Sequence, residues 1–200
     1  MKRVGLFGGS FDPVHYGHVL SSVLLYEMGI IDVIVVLPTN SNPLKNNTPL
    51  FNLEDRLLMC KIAFQNMPYV SVLDLNYNYT IDMLKKIKNL PSVDDSDIEY
   101  YLIVGSDIDS TILQWKDIGS YKDYIENFIV LCRDRNYENS NISKILSKPP
   151  ILIDGITIGD LELSSTNIRK RLKYDGCKIM RTFVPSDVCY YIKNIKNKEN

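Results

Sequence analysis

The chain has 200 residues, 45% hydrophobic and 24% charged, with a formal net charge of −1 and an isoelectric point near 6.1. That length suits one compact domain, and the charge balance offers no basic stripe of the kind a nucleic-acid binder needs. No stretch approaches the roughly 18 apolar residues of a membrane span, so neither nucleic acid nor a membrane is an expected partner.

In chain order, apolar runs bounded by turn residues alternate with helical patterns. "RVGLFG" predicts a first buried strand and "HVLSSVLLYEMG" a helix closed by Gly29. "DVIVVLP" is a second strand, followed by the polar loop "TNSNPLKNNTP". "NLEDRLLMCKIAFQN" predicts an amphipathic helix with Asn52 as its N-cap. "YVSVLDL" is a third strand, and "YTIDMLKKIKN" a helix that Thr80 is placed to cap. "PSVDDSD" reads as a surface loop, "YYLIVG" and "NFIVLC" as strands four and five, with a helical stretch from Ser106 to about Trp115 between them. Residues 133–150 read as irregular, a short strand falls near 151–158, and "SSTNIRKRLK" is a helix capped by Ser164 or Ser165. A last helix starts after Pro185, and its lysine-rich end, "YYIKNIKNKEN", reads as a solvated face.

Strands that alternate with helices predict a doubly wound, mostly parallel α/β sheet. The expected organisation is a single domain over 1–200, with a Rossmann-like core over 1–160 and a small helical part over 161–200. Such sheets bind ligands beyond the carboxyl ends of their strands, where the strand order reverses. Cys60, Cys132, Cys177 and Cys189 are widely spaced, with no C-x-x-C pair, and read as reduced thiols. The start "MKRVGLFGG" is too short an apolar run for a secretory leader. The expected location is the cytoplasm, and the nucleus fits equally.

Both histidines of the chain sit in "GLFGGSFDPVHYGH", residues 5–18, which is the first βα loop of that topology. Gly8 and Gly9 let the backbone turn and approach a ligand with no Cβ in the way. His15 and His18 stand three positions apart at a helix start, so both rings can face one side. The helix end adds unpaired N–H groups and about half a positive charge. Donors and potential cations together suit an anion, above all phosphate. Two other readings of the pair are a metal site, for which only Asp12 lies near, and satisfied structural side chains. "LSSTNIRKRL" adds hydroxyl residues at a second helix start, with Arg169 and Arg171 in the following turns. Alone, such a pattern is more often a capped surface helix; paired with the first turn, it suggests a polyphosphate held between two helix ends.

"GGSFDPVHYGH" resembles the G-[ST]-F-D-P-x-H-x-G-H signature of the nucleotidyltransferase superfamily, and "SSTNIR" is similar to its S-x-T-x-I-R motif. "NYTIDML", "IVGSD", "LQWKD", "DRLLMC" and the lysine of "NPLK" resemble further segments of the nicotinate/nicotinamide mononucleotide adenylyltransferase branch, bacterial type, in the same order along nearly the whole chain. The resemblance implies transfer of AMP from ATP to the 5′-phosphate of a pyridine mononucleotide, with magnesium accompanying ATP. It assigns His15, His18 and Arg169 to catalysis at the phosphates. Gly8, Gly9, Ser10, Phe11, Lys45, Gly105, Asp107, Arg133, Ser164 and Ser165 fall to ATP, Asp107 also being a candidate magnesium ligand. Thr80 and Trp115 fall to the pyridine end, where donors alone favour the carboxylate of nicotinate over an amide. The alternatives are phosphopantetheine adenylyltransferase, a cytidylyltransferase or another enzyme with the same histidine motif, and a catalytically silent adenylate sensor. A homo-oligomer is compatible with the sequence.

Overall fold

Alternation along the strands divides the apolar side chains between two faces of one sheet. In the computed structural model, which describes residues 1–40, 48–90, 97–132, 137, 141–154, 164–174 and 180–199, six strands form that sheet: β1 (Lys2–Gly9), β2 (Val33–Pro38), β3 (Val70–Val72), β4 (Ile98–Gly105), β5 (Asn127–Cys132) and β6 (Ile151–Asp154). Every pairing is parallel, and the order is β3-β2-β1-β4-β5-β6. Helices α1 (Tyr16–Glu27), α2 (Leu53–Phe64), α3 (Thr80–Lys88), α4 (Ile142–Leu146), α5 (Ser165–Tyr174) and α6 (Ser186–Glu199) occupy the connections and the C-terminal part.

Phe7, Ile34, Val36, Ile103, Ile129 and Ile153 face a core built with α1, α2, α5 and α6. Leu6, Leu102, Val104, Phe128 and Val130 face the other core, against α3, α4 and Tyr121. Because both faces are covered, the strands read as continuous apolar runs rather than polar-apolar alternation. Each fully buried aliphatic side chain, such as Ile34 or Val36, contributes roughly 1.5–3 kcal/mol.

Local signals placed most boundaries. Gly29 sits at φ +62, the left-handed stop expected after α1. Asn52 caps α2 by accepting the Asp55 N–H at 2.8 Å. Ser164, rather than Ser165, caps α5, its hydroxyl accepting the Asn167 N–H at 3.2 Å.

Four expectations change. The stretch from Ser106 to Trp115 is not one helix but two 3-10 turns, Ser106–Ile108 and Ile112–Gln114, followed by a third at Ile118–Asp123. Within 133–150, Ile142–Leu146 is helical because the buried Asp109 carboxylate accepts the Asn141 and Ile142 N–H groups at its start. Strand β3 covers only Val70–Val72, since it borders one strand; the strand expected near 151–158 is present as β6, and positions 155–158 lie outside the described residues. Thr80 is the first residue of α3 and not its cap; Tyr79 holds that position and makes no side-chain cap bond. Among the described residues no helix is long and apolar enough to cross a membrane.

Candidate active site

The β1–β2 ladder continues to Gly9↔Pro38, and the β4–β5 ladder to Gly105↔Leu131. The β1–β4 ladder stops at Phe7↔Ile103. Beyond that point Gly8 and Gly9 on one side, and Val104 and Gly105 on the other, are no longer paired, which opens the crevice where the sheet order reverses. Gly8 and Gly105 therefore stand on opposite lips. A Cβ on Gly8 would lie 3.3 Å from the Tyr77 hydroxyl, and one on Gly9 3.2 Å from the Phe11 ring.

The loop after Gly9 is tightly held. Phe11 adopts φ +46, in the left-handed region, and its ring packs against Phe7 at 5.5 Å and His18 at 4.7 Å between centroids. His15 is the N-cap of α1, and the two histidines cap the helix for each other. His15 Nδ1 accepts the Gly17 N–H at 3.1 Å, and His18 Nδ1 accepts the His15 N–H at 3.2 Å. Their rings lie 3.7 Å apart. A nitrogen that accepts carries no proton, so both rings are neutral tautomers with the proton on Nε2.

The second motif meets this loop directly. Arg169 Nη1 donates to the Asp12 carbonyl at 2.7 Å and lies 3.4 Å from its carboxylate. The Ser165 hydroxyl donates to the Pro13 carbonyl at 3.0 Å. The N–H of Tyr16 bonds the Phe183 carbonyl at 2.9 Å, which ties the start of α1 to the C-terminal part. His15, His18, Ser164, Ser165 and Arg169 are thus brought together around residues 12–18. Asp12 itself was weighed only as a metal ligand; 2% exposed, it instead accepts the Leu50 and Phe51 N–H groups at 2.8 and 2.9 Å while facing Arg169.

Arg56 was also missed as a site residue. It is 1% exposed and donates to the carbonyls of Phe51, Ser10, Thr39 and Asn40. Burial pulls the pKa of its guanidinium down, and the field of Asp12 opposes that. Arg56 shares the buried stripe of α2 with Met59, Cys60 and Phe64, a spacing that places it inward without showing which carbonyls it meets.

The two residues expected at the pyridine end are connected by a third. Tyr121, 1% exposed, packs its ring 6.3 Å from that of Trp115, and its hydroxyl lies beside the Thr80 side chain and the Ile81 backbone at the start of α3. Burial pushes its phenol up. Lys116 extends this contact, lying 3.5 Å from Asp82 and 4.7 Å over the Tyr79 ring. Asp107 is exposed on the 3-10 turn after Gly105. Among the described residues no three His, Cys, Asp or Glu side chains are grouped to hold a metal ion. Lys45 and Arg133 lie outside the described residues.

A parallel sheet in the order 3-2-1-4-5-6, with two helix starts meeting at its reversal point, defines a doubly wound, Rossmann-like protein. The cytidylyltransferase-like family model matches residues 6–171. The chain belongs to that family. It is 30% identical over 200 residues to a probable nicotinate-nucleotide adenylyltransferase of Desulfitobacterium hafniense, covering 96% of this chain and 93% of that one. A protein of the same description from Thermoanaerobacter is 29% identical over 210 residues, covering 99% and 97%. Among solved structures, the Plasmodium falciparum nicotinic acid mononucleotide adenylyltransferase complexed with NaAD superposes with a TM-score of 0.78 at 23% identity, covering 98% of this chain and 96% of that one. A putative nicotinate-nucleotide adenylyltransferase of Vibrio parahaemolyticus shares the fold at a TM-score of 0.60 and 15% identity, covering 95% and 97%.

Proposed function

We propose that this chain transfers the adenylyl group of ATP to nicotinate mononucleotide, forming the dinucleotide and pyrophosphate for NAD biosynthesis. The observation that carries the reading is the junction of Arg169 and Ser165 with the loop bearing His15 and His18. The curated relatives described as nicotinate-nucleotide adenylyltransferases support the acceptor.

In this reaction an oxygen of the acceptor 5′-phosphate attacks the α-phosphorus of ATP. The bond from that phosphorus to the bridging oxygen breaks, and the electron pair leaves with pyrophosphate. Such displacement needs alignment and charge neutralisation more than covalent chemistry. His15 and His18 direct Nε2–H groups at the phosphates, with His18 stabilising charge on the transferring α-phosphoryl group. Gly8, Gly9, Ser10 and Phe11 supply backbone along the nucleotide. Ser164, Ser165 and Arg169 hold the β- and γ-phosphates, with Lys45 and Arg133 assigned to ATP by their sequence positions. Gly105 and Asp107, on the far lip, face the ATP ribose.

Magnesium enters with ATP as part of the substrate; the described residues form no cage for a resident ion, and Asp107 is the carboxylate assigned to it. Trp115 offers a flat face to the pyridine ring. The N–H groups at the start of α3, that of Thr80 first, are the donors assigned to the ring substituent. A site of donors suits nicotinate, since an amide brings N–H groups that would stay unpaired at a cost of about 1–3 kcal/mol.

The test is incubation of purified protein with magnesium, ATP and each pyridine mononucleotide, with phosphopantetheine and CTP as controls, followed by chromatography. Formation of nicotinate adenine dinucleotide in preference to the amide is the expected result. Turnover only with phosphopantetheine or with CTP, or no pyrophosphate release at all, overturns the assignment.

A further inference from the structure

Arg56 places a charge where the apolar face of α2 needs only bulk. Its Nε reaches the Phe51 carbonyl at 3.0 Å, its Nη1 the Ser10 and Thr39 carbonyls at 2.7 Å each, and its Nη2 the Asn40 carbonyl at 3.1 Å. Ser10 follows β1, and Thr39 and Asn40 follow β2. One side chain therefore fastens the ends of both strands on the histidine side of the crevice. Its charge is met by carbonyl dipoles and by the field of Asp12, which is itself paired with Arg169; among the described residues no carboxylate lies within ion-pair distance of Arg56. A hydrophobic residue of similar volume would fill this space without a buried cation's desolvation cost; what it could not do is hold carbonyl groups turned inward.

The Ser10–Phe11 peptide is trans, the one cis bond of the loop being Asp12–Pro13. In a trans peptide the N–H points opposite to the C=O. With the Ser10 oxygen on Arg56, the Phe11 N–H faces away from the guanidinium, and no acceptor among the described residues meets it. The left-handed φ of Phe11 is the backbone turn that forms anion-binding concavities.

We propose that Arg56 is a positioning residue for the transfer: from behind the loop it fixes the Ser10–Phe11 peptide so that the Phe11 N–H is offered to an α-phosphoryl oxygen of ATP. The inference rests on the reading of ATP as substrate. A misplacement of about 1 Å at a reacting group costs on the order of 10²-fold in rate, and lysine, with one nitrogen, cannot span four carbonyls.

The test uses Arg56→Lys in the full chain, with melting curves to establish that it folds, and steady-state kinetics in both substrates. The expected result is a fall in kcat of about 10²-fold, with the KM for nicotinate mononucleotide unchanged. A folded variant with wild-type kcat overturns the proposal, as does an equal deterioration of both KM values, which a general loosening of the fold would give. A second measurement needs no variant. In wild-type protein titrated with a non-hydrolysable ATP analogue, the Phe11 amide proton resonance should move downfield, while that of Gly29 stays in place. An unmoved Phe11 resonance on saturation overturns the proposal even where Arg56→Lys does not fold. Failure of the wild type to form dinucleotide, with the Phe11 shift intact, would instead strike only the assignment of the acceptor.

Discussion

His15 and His18 each accept a backbone N–H of the turn they begin, from Gly17 and from His15 in that order, so the backbone holds both tautomers in place. The glycines and the proline before them bring the chain to this geometry, and the capping bonds leave both Nε2–H groups as the donors. A side chain used in this way has two jobs, and its removal has two costs.

His18→Ala should lower kcat by roughly 10²–10³-fold, the usual effect of losing one preorganised donor to developing charge. It should also remove the acceptor of the His15 N–H, costing about 0.5–2 kcal/mol as other cap losses do. Steady-state rates and thermal melts measured together separate the two effects. Nitrogen NMR of the imidazoles at neutral pH should show protonated Nε2 and unprotonated Nδ1 in both; a protonated Nδ1 in either would contradict the cap.

Arg169→Ala should raise the KM for ATP by about 10- to 100-fold, since a charged hydrogen bond contributes about 1.5–3 kcal/mol. The KM for the mononucleotide should hold. Asp12→Asn keeps the shape but withdraws the charge facing Arg169, and should weaken ATP binding less than Arg169→Ala while lowering the melting temperature through the Leu50 and Phe51 bonds. An unchanged KM for ATP in Arg169→Ala would take that residue out of the phosphate cradle.

Trp115→Ala should raise the KM for nicotinate mononucleotide and leave that for ATP alone. Tyr121→Phe, which keeps the ring against Trp115 but removes the hydroxyl beside Thr80 and Ile81, should do the same by a smaller factor, about 5- to 10-fold for the loss of one polar group worth near 1 kcal/mol. Isothermal titration with each substrate separately provides the check, and a defect confined to ATP would reverse the placement of the two ends.

Alkali should unfold the protein over a defined interval. Burial, and the Tyr191 hydroxyl's bond to Asp55, push the Tyr191 phenol up to about 12 from 10.0. Burial and the Glu99 carboxylate do the same for Tyr101. Both groups bind their protons more tightly folded than unfolded, so their contribution is complete below pH 10 and is lost as pH rises through about 12. Melting temperatures should fall across that interval, and less steeply in Tyr191→Phe; an identical slope in the variant would show that Tyr191 does not contribute.

The sequence made the architecture legible because both periods were written plainly: apolar runs for covered strands, and caps such as Asn52 and Gly29 for helix ends. The turn to which we assign the phosphates was legible because its residue types cluster within fourteen positions. Asp12, Arg56 and Tyr121 were not, for one shared reason. Each works through groups that no local pattern gathers, Arg56 through carbonyls from 5 to 46 residues off and Asp12 through a guanidinium 157 residues off, and neither spacing nor composition records such a meeting. The 3-10 turns between β4 and β5 escaped too, since they are shaped by what Tyr121 and Asp109 pack against and not by a local helical period.

The bonds from Ser165 to Pro13 and from Arg169 to Asp12 join stations 152 and 157 residues apart. During translation, therefore, the first strand and its turn leave the ribosome long before the segment that completes them. A nascent chain stalled before Ser164 can pair strands yet has nothing with which to close the junction around residues 12–18. Under the proposed function, nucleotide capture is in this sense a late event in the life of each molecule, and a truncated product would not compete with finished copies for ATP.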